Sequence, residues 1–410
     1  MPLRERLLIV LLVSLAAFGP LSISIFTPSM TDIGRSLMAS DADVKLTLTS
    51  FLFGYAGAQM VFGPLSDRFG RRPVLLAGVA LYAVMGLACA LTTSIESLIV
   101  LRVFHGAGVC SGTVIARAIT RDTFGHHGSP RVMGWISLGI NVAPAVAPIL
   151  GGHLTAWFGW QAIFYALAAF GALVFVIVAI FLRESNPYLG RSLGVWGTIR
   201  QAGPMLRDRT FMGYAIVISA TFGAMFAYSA GAPFVLMSMI GMGPAEYGYW
   251  VLTSVAGFTS GSFVATRLIG RVSLARCTIL GLLVGLAGAG SMAVLAFVGL
   301  LSPWTIVVPY FGIAMGSGII MAPAMAGSVN QFPRQAGTAS SLMGVLQMGG
   351  AALATVVVTV FTNGTQFPMV LTIGGSLLLG LAVGTVLLRP HRAGDPTTPE
   401  PVADPSRSAG

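Results

Sequence analysis

The chain has 410 residues, of which 55% are hydrophobic and only 9% are charged, and its mean hydropathy is +0.85. Soluble proteins carry about 25% charged residues, so this composition excludes a soluble globular chain, a disordered chain and a nucleic-acid-binding protein. The 23 basic and 13 acidic side chains instead fit a protein embedded in lipid, where arginines between apolar segments indicate topology.

Twelve apolar segments are long enough to cross a bilayer, since a spanning helix needs about 20 residues. Six of them precede a charged stretch and six follow it. They cover approximately residues 7–30, 45–65, 74–93, 97–118, 132–155 and 160–183, and then 211–238, 247–268, 277–299, 303–325, 337–360 and 366–388. The prediction is an all-α membrane protein with 12 transmembrane helices.

The basic residues predict the orientation of these spans. With the N-terminus inside, 20 of the 23 basic residues lie on the inner side, Arg35 and Lys45 lie outside, and Arg102 lies within a span. Because basic residues accumulate on the cytoplasmic side of membrane proteins, both termini are predicted to be cytoplasmic and the chain to be a multi-pass protein of a bacterial inner membrane.

The segment boundaries divide the chain into four parts. Residues 1–183 form an N-terminal six-helix half, 184–210 a cytoplasmic linker, and 211–389 a C-terminal six-helix half. Residues 390–410 are rich in proline, serine and aspartate and are predicted to be a disordered cytoplasmic tail.

The two halves are related by a weak internal repeat. The pattern Gly106-x4-Ser111-Gly112-x3-Ala116 recurs 206 residues later as Gly312-x4-Ser317-Gly318-x3-Ala322. Two pseudo-symmetric six-helix halves are the organisation of secondary transporters, whose substrate site lies between the repeats near the middle of the membrane.

The residue inventory argues against several other kinds of chemistry. The chain's only lysine, Lys45, follows Val44 rather than glycine, so no GxxxxGK[ST] phosphate loop is present. Three widely spaced cysteines predict neither a disulfide framework nor a metal site. Within the spans, no HExxH, GxSxG or paired-acid motif indicates an enzyme, and no cofactor is expected.

The linker between spans two and three carries the most specific motif, GPLSDRFGRRP, from Gly63 to Pro73. It resembles the signature loop G-x-x-x-D-[RK]-x-G-[RK]-[RK] of the major facilitator superfamily at every specified position. Further segments are similar to the Bcr/CflA group of drug:proton antiporters, which includes bicyclomycin and chloramphenicol exporters. They are PLSISIFTPSM, LRVFHG, SLGINVAPAVAPILGG, SAGAPFV and FPRQAGTASSLMG.

The resemblance implies roles for the motif residues. Gly63, Asp67, Arg68, Gly70, Arg71 and Arg72 form a gating motif. In it, Asp67 would pair with the N-terminal end of a helix in the other half when the inner gate is closed. Gly63 suits a close helix approach, and Gly70 a turn with positive φ. Pro148, Gly151 and Gly152 form the antiporter motif, and Pro148 is expected to bend span five.

Proton coupling has three candidate residues, Asp32, Arg102 and His105. An arginine in hydrocarbon is expected to face the bundle interior, although snorkelling to the outer interface is the alternative. His105 lies one turn from Arg102, and a histidine side chain ordinarily titrates near neutral pH, but a packed histidine is equally consistent. Relatives have an acid in span one where this chain has Ser24, which leaves Asp32, at the span's outer end, as the nearest acid.

Polar and aromatic side chains within the spans are candidates for a substrate cavity, because exposing them to lipid is costly. These candidates are Ser24, Tyr55, Gln59, Asn141, Tyr228 and Gln347. Interhelical hydrogen bonding explains each of them equally well.

The leading prediction is therefore a secondary active multidrug efflux transporter. It would export small apolar or amphipathic compounds by proton antiport with alternating access, with small molecules, protons and the lipid bilayer as partners and with a monomeric state. The alternative is an importer or facilitator of a nutrient or metabolite on the same fold.

Overall fold

A computed structural model of the chain describes residues 3–186, 194–332 and 335–388. The predicted tail 390–410 and part of the linker lie outside this range. The described residues form thirteen α-helices. They are α1 (Leu3–Ser24), α2 (Met30–Ser36), α3 (Asp41–Phe69), α4 (Arg71–Leu91), α5 (Ile95–Phe158), α6 (Gln161–Phe181), α7 (Gly194–Arg207), α8 (Arg209–Pro233), α9 (Pro244–Leu268), α10 (Leu274–Phe297), α11 (Pro303–Val329), α12 (Ala336–Val360) and α13 (Phe367–Leu387).

Ten stretches of these helices are long and apolar enough to cross a membrane. Two further predicted spans correspond to α3 and α9, which have 29 and 25 residues. Both carry more polar side chains than their neighbours, and both pack against helices of the opposite half. Their lower hydropathy therefore accompanies a position between the halves, where less of the helix surface meets lipid.

Three segments differ in detail from the sequence prediction. The first span is divided, since α1 ends at Ser24 and a short 3-10 turn, Thr27–Ser29, precedes α2. Spans four and five are joined in α5, which reverses at Gly125, the one residue in it with non-helical dihedrals (φ 59°, ψ −166°). The linker contains a helix, α7, that hydropathy did not indicate.

The helices pack as two halves with matching internal contacts. In the first half α5 lies against α1, α3 and α4, and in the second half α11 lies against α8, α9 and α10. Across the halves, α3 packs on α12 and the second section of α5 packs on α9. Each interface thus joins one helix of each half, as a pseudo-two-fold relation requires.

Glycines at the helix crossings show the same pseudo-two-fold relation between the halves. A methyl group on Gly54 or Gly106 would collide with the backbone carbonyl of Val103 or Phe51, where α3 crosses α5. In the second half, Gly261 and Gly318 allow the equivalent backbone contact where α9 crosses α11. Small residues let transmembrane helices approach closely, so the same helix crossing recurs in both halves. The glycines that the sequence repeat matches do not coincide with it, since Gly106 contacts α3 and Gly312 contacts α10.

The charged residues distinguish the two ends of the bundle. We call the end with Arg68, Arg71, Arg72 and Arg121 the arginine-rich face, and the end with Arg35 and Lys45 the arginine-poor face. Helix α3 runs from the arginine-poor face to the arginine-rich face, and α12 runs antiparallel to it, since Lys45 near the start of α3 contacts Thr362 just beyond α12.

Candidate functional site

The motif loop turns sharply between α3 and α4 at Gly70. This residue has φ of 102° and ψ of 152°, the left-handed conformation that its place in the sequence predicts. A side chain there would be strained and would also collide with the carboxylate of Glu184. The loop therefore requires glycine both for its backbone and for its packing.

Arg71 is the electrostatic centre of this loop. Its side chain is almost fully buried and forms ion pairs with Asp67, one turn earlier, and with Asp122 of α5, at 2.9 Å from Nε to Oδ2. Its Nη1 also donates to the Ser66 hydroxyl at 2.6 Å. A buried guanidinium is stable only when its charge and donors are matched, and Asp122, which the sequence did not single out, supplies part of that match.

Glu184, just after α6, ties this loop to the end of the first half. Burial by itself would raise the pKa of Glu184, but the backbone N–H groups of Asn186, Arg71, Arg72 and Ser185 donate to its carboxylate and hold its pKa below the ordinary value. The donors at Arg71 and Arg72 are the first free amides of α4, which favour a negative charge.

The contacts of the other motif residues are simpler. Asn186 donates from Nδ2 to the carbonyl of Asp67 at 3.0 Å, and Arg72 Nη2 donates to the carbonyl of Ala179 at 2.7 Å. Arg68 is exposed, with its guanidinium over the Phe69 ring. A side chain at Gly63 would meet nothing within 4 Å, so the close helix approach predicted there is absent from this conformation.

Arg102 lies in the interior of the first half and has no exposed surface. Its guanidinium carbon lies 4.5 Å from the ring centroid of Phe26 and 4.2 Å from that of Phe51, with the Phe164 ring at 5.8 Å. Aromatic faces attract a desolvated cation. The inward orientation is confirmed, and snorkelling to the interface is excluded for this conformation.

His105 is the hydrogen-bonding partner of Arg102. The Arg102 Nη1 lies 3.1 Å from His105 Nδ1, and since arginine only donates, Nδ1 is the acceptor and the imidazole is neutral. The ring stacks on Tyr82 at 4.7 Å between centroids. The buried Arg102 Nη2 and His105 Nε2 have no hydrogen-bond partner among the described residues, so each member of this pair keeps one unsatisfied nitrogen.

Asp32 occupies a different environment. It lies in the first turn of α2 and pairs with Arg35 at 3.5 Å on a partly exposed surface. The described contacts of Arg102 and His105 do not include it. The structure thus joins two of the three proton-coupling candidates and places the third in a helix-terminal ion pair.

Three cavity candidates lie on α3 and α12, with Tyr55 and Gln59 on α3 and Gln347 on α12. The Tyr55 hydroxyl is 2.8 Å from that of Thr113 in α5. Gln59 is buried against Gly344 of α12, and its Oε1 has no partner. Gln347, one turn beyond Gly344, is also buried. An unsatisfied amide between the halves is suited to meet a polar substrate group.

The other cavity candidates are dispersed. Tyr228 stacks on Tyr310 with the rings 8° from parallel, inside the second half. The carbonyl of Ser24, at the end of α1, accepts a hydrogen bond from the Thr27 hydroxyl at 3.1 Å. The side chain of Asn141 lies outside the described part of the structure.

The antiporter motif residues form the second interface between the halves. A side chain on Gly152 would collide with the carbonyl of Pro244 in α9, and one on Gly248 would meet the carbonyl of Pro148. Gly151 instead packs on the carbonyl of Ile25 within the first half. Helical backbone continues through Pro148 to Phe158, and the motif's small residues let α5 and α9 touch directly.

Metal binding has no support in the described ranges. No group of three or more histidine, cysteine, aspartate or glutamate residues within them could hold a metal ion. The polar groups of the site are therefore those of the motif loop, the Arg102–His105 pair and the interface between the halves.

Comparison with known proteins gives the same architecture. The family model described as Major Facilitator Superfamily matches residues 12–355. The chain is 33% identical over 352 residues to the uncharacterized MFS-type transporter YdgK of Bacillus subtilis, covering 84% of this chain and 87% of that protein. It is 28% identical to the bicyclomycin resistance protein homolog of Haemophilus influenzae, over 90% of this chain and 92% of that one.

A solved structure supports the fold. A bacterial homolog of the human lysosomal transporter Spinster, in an inward-facing and occupied conformation, superposes with a TM-score of 0.73 at 16% identity, covering 95% of this chain and 98% of that chain.

Two six-helix halves joined at two interfaces, with a charged loop at one face, define a multi-pass membrane transporter of small molecules rather than an enzyme. The chain belongs to the major facilitator superfamily. The predicted fold is confirmed, and so is the predicted similarity to proteins of the bicyclomycin-resistance type.

Proposed function

We propose that this protein exports small apolar or amphipathic drugs across the bacterial cytoplasmic membrane in exchange for protons. The observation that carries the proposal is the buried Arg102–His105 pair, together with similarity to a relative named for bicyclomycin resistance. Both termini would lie in the cytoplasm, so that the arginine-rich face is the inner face, and the protein would act as a monomer.

The pair has the properties of a proton-sensitive element. While His105 is neutral, its Nδ1 accepts a hydrogen bond from the permanently charged Arg102. A proton added to His105 would remove that acceptor and place two positive charges side by side in a site of low dielectric constant. Protonation would therefore break the pair. The guanidinium would keep the bond from its Nε to the Thr47 carbonyl, but its Nη1 would need a new acceptor, which links proton uptake to rearrangement of the first half.

Alternating access is supported by the contacts at the two faces. Contacts between the halves at the arginine-poor face join α3 to α12 and α5 to α9. At the arginine-rich face, Asp67 pairs with Arg71 of its own loop. One face is thus held closed, while the residue expected to close the other is engaged within its own half.

The test is drug accumulation in an efflux-deficient bacterium that expresses this chain. The panel contains chloramphenicol, bicyclomycin, a fluoroquinolone and ethidium, each with and without a protonophore. Lower accumulation of at least one compound, restored by the protonophore, is the expected result. Unchanged accumulation of every compound, with the protein present in the membrane, would contradict the proposal.

Import or facilitated diffusion of a metabolite is the second candidate. It is favoured by Ser24, which stands where an acid is expected and cannot carry a proton. The two candidates differ in the direction of movement and in the requirement for a gradient. Uptake of a radiolabelled metabolite that persists in the presence of a protonophore would favour this second function.

A further inference from the structure

We infer that Lys45 is the latch that holds the arginine-poor face closed, by binding the C-terminal end of α12 in the opposite half. The inference rests on the alternating access of the proposed function and adds to it a specific residue that positions the halves. Lys45 is the only lysine of the chain, and only 5% of it is exposed, although lysine is among the residues least often buried.

The hydrogen-bond acceptor and the aromatic ring that contact Lys45 both belong to the second half, while Asp41, one turn earlier in α3, is the nearby charge of its own half. The Lys45 Nζ donates to the Thr362 hydroxyl at 2.9 Å and lies 4.5 Å from the ring centroid of Phe234. Thr362 in turn donates to the carbonyl of Val358 at 2.8 Å, in the last turn of α12. The ammonium therefore lies at a helix C-terminus, where the unpaired carbonyls favour a cation.

Neighbouring contacts show that this is the place where the halves meet. One turn further along α3, the Thr49 hydroxyl donates to that of Thr355 at 2.9 Å. In a separate contact at the same face, the Thr31 hydroxyl lies 3.9 Å from the sulfur of Met237. These neutral contacts are weak, so the charged Lys45 is the strongest polar link among those described at this face.

The same two helices carry the complementary arrangement at their other ends. Lys45 and Asp67 are separated by 22 residues of α3, or about 33 Å at 1.5 Å per residue. Because α12 runs antiparallel to α3, its carbonyl end faces the lysine, and its amide end lies toward the face that carries the aspartate. A positive charge is stabilised at the carbonyl end of a helix, and a negative charge is stabilised at the amide end.

This arrangement makes α3 and α12 a two-position switch. In the present structure Lys45 is bound to the end of α12, and Asp67 is held by Arg71. Rocking of the halves that releases Lys45 would expose it at the arginine-poor face and would bring Asp67 toward the other end of α12. In one state Lys45 would bind the carbonyl end of α12, and in the other Asp67 would bind its amide end.

The single lysine allows closure to be measured directly. The protein in liposomes is treated with a membrane-impermeant amine-reactive ester, and modification of Lys45 is quantified by mass spectrometry. Thr362→Val removes the hydroxyl partner and leaves Lys45 in place, so modification should be about threefold to tenfold faster, in keeping with the weight of a cation at a helix end. Thr359→Val removes a comparable helix-bonded hydroxyl of α12 and should leave the rate unchanged.

A second measurement reports on the gap between the halves. Thr31→Cys with Met237→Cys places two thiols across the arginine-poor face, at side chains other than the two that contact Lys45, while the native cysteines are buried. Adding Lys45→Met should slow formation of this cross-link about threefold to tenfold. Lys45→Arg, which keeps the charge and a donor, should restore most of the rate.

The two measurements separate a latch from a packing residue. Equal modification of Lys45 in Thr362→Val and the parent protein, or an unchanged cross-linking rate in Lys45→Met, would overturn the inference. Neither experiment needs a drug or a proton gradient. A failure of the export proposal therefore leaves this result standing, and a failure of the latch leaves the export proposal standing.

Discussion

At the residue scale, burial decides which charged side chains can take part in coupling. Arg102 and Arg71 are both buried, but Arg71 has two carboxylates while Arg102 has three aromatic rings and a neutral histidine. An ionised carboxylate forms a strong charge-assisted hydrogen bond with a guanidinium. An imidazole nitrogen accepts such a bond only while it carries no proton. The two arginines thus suit different tasks, one in a fixed structural network and the other in a reversible pair.

His105→Gln tests the reversible pair. Glutamine offers a carbonyl acceptor to Arg102 but does not titrate, so the protein should fold and reach the membrane in normal amounts. Drug export should lose the part of its pH dependence that protonation of this histidine provides. The measurement is ethidium efflux from inverted vesicles over a series of pH values. A pH profile equal to that of the parent protein would assign proton coupling elsewhere.

Asp67→Asn tests the motif loop. The asparagine cannot provide a negative charge to the amide end of a helix in the other half, so export should fall to background while the amount of protein in the membrane is unchanged. Efflux assays and membrane immunoblots measure the two quantities. Glu96→Gln, which changes an exposed acid in the first turn of α5 at the opposite face, is the control and should retain activity. Normal export by Asp67→Asn would reject the gating role.

At the element scale, glycines set the distance between crossing helices. Gly54 lies in direct backbone contact with α5, whereas a side chain on Gly57, three residues further along α3, would meet nothing within 4 Å. The two positions therefore differ in packing but share a helix and a residue type.

Gly54→Ala should destabilise the first half by about 1–3 kcal/mol, because an added methyl group forces α3 and α5 apart. Gly57→Ala should be neutral or slightly stabilising, because alanine favours the helix. Thermal unfolding in detergent can be followed by reaction of a thiol-specific dye, since Cys89, Cys110 and Cys277 are all buried. Equal melting temperatures for the two variants would contradict the close crossing.

The Glu184 contact predicts a pH-dependent stability of the motif loop. Because the pKa of Glu184 is lowered in the folded protein, its stabilising contribution is present above the ordinary glutamate pKa and is lost as the pH falls through the lowered value. The protection of the Arg71 and Arg72 amides from hydrogen exchange, measured relative to the intrinsic exchange rate at each pH, should therefore fall in acid. Glu184→Gln should show lower protection at neutral pH and little further change in acid, and identical protection profiles would refute the assignment.

At the scale of the whole molecule, the arginine bias predicts which face is cytoplasmic. A periplasmic phosphatase fused after residue 388 should be inactive, whereas one inserted in the loop at residues 92–94, between α4 and α5, should be active. Fluorescent-protein fusions at the same positions provide the converse control. Active phosphatase at the C-terminal position would reverse the proposed orientation and the direction of the gates.

Much of this architecture could be predicted from local sequence. Helices α10, α11, α12 and α13 begin and end within four residues of the predicted segments, because the length of an apolar run is a local property that the bilayer thickness constrains. Local hydropathy failed where the backbone changes course inside an apolar run, at Ser24, and where the helix is amphipathic, as in α7. The reversal at Gly125 falls between predicted spans four and five.

The site could be predicted only in part. The motif loop was found because its glycines and charges are contiguous, and the Arg102–His105 pair because i and i+3 share a helix face. Asp122 and Glu184 were missed, since they reach Arg71 from 51 and 113 residues away. A lone acid at the end of an apolar segment was the only available signal, and it does not name its partner.

The sequence by itself determined that the protein lies in a membrane, how many times it crosses, and which superfamily loop it carries. Each of these follows from composition or from contiguous residues. Only the tertiary structure decided that Arg102 is sealed among aromatic rings, that Glu184 holds the motif loop, and that Lys45 binds the end of α12. These contacts join residues of distant segments, and which of them meet depends on how the helices pack rather than on any local pattern.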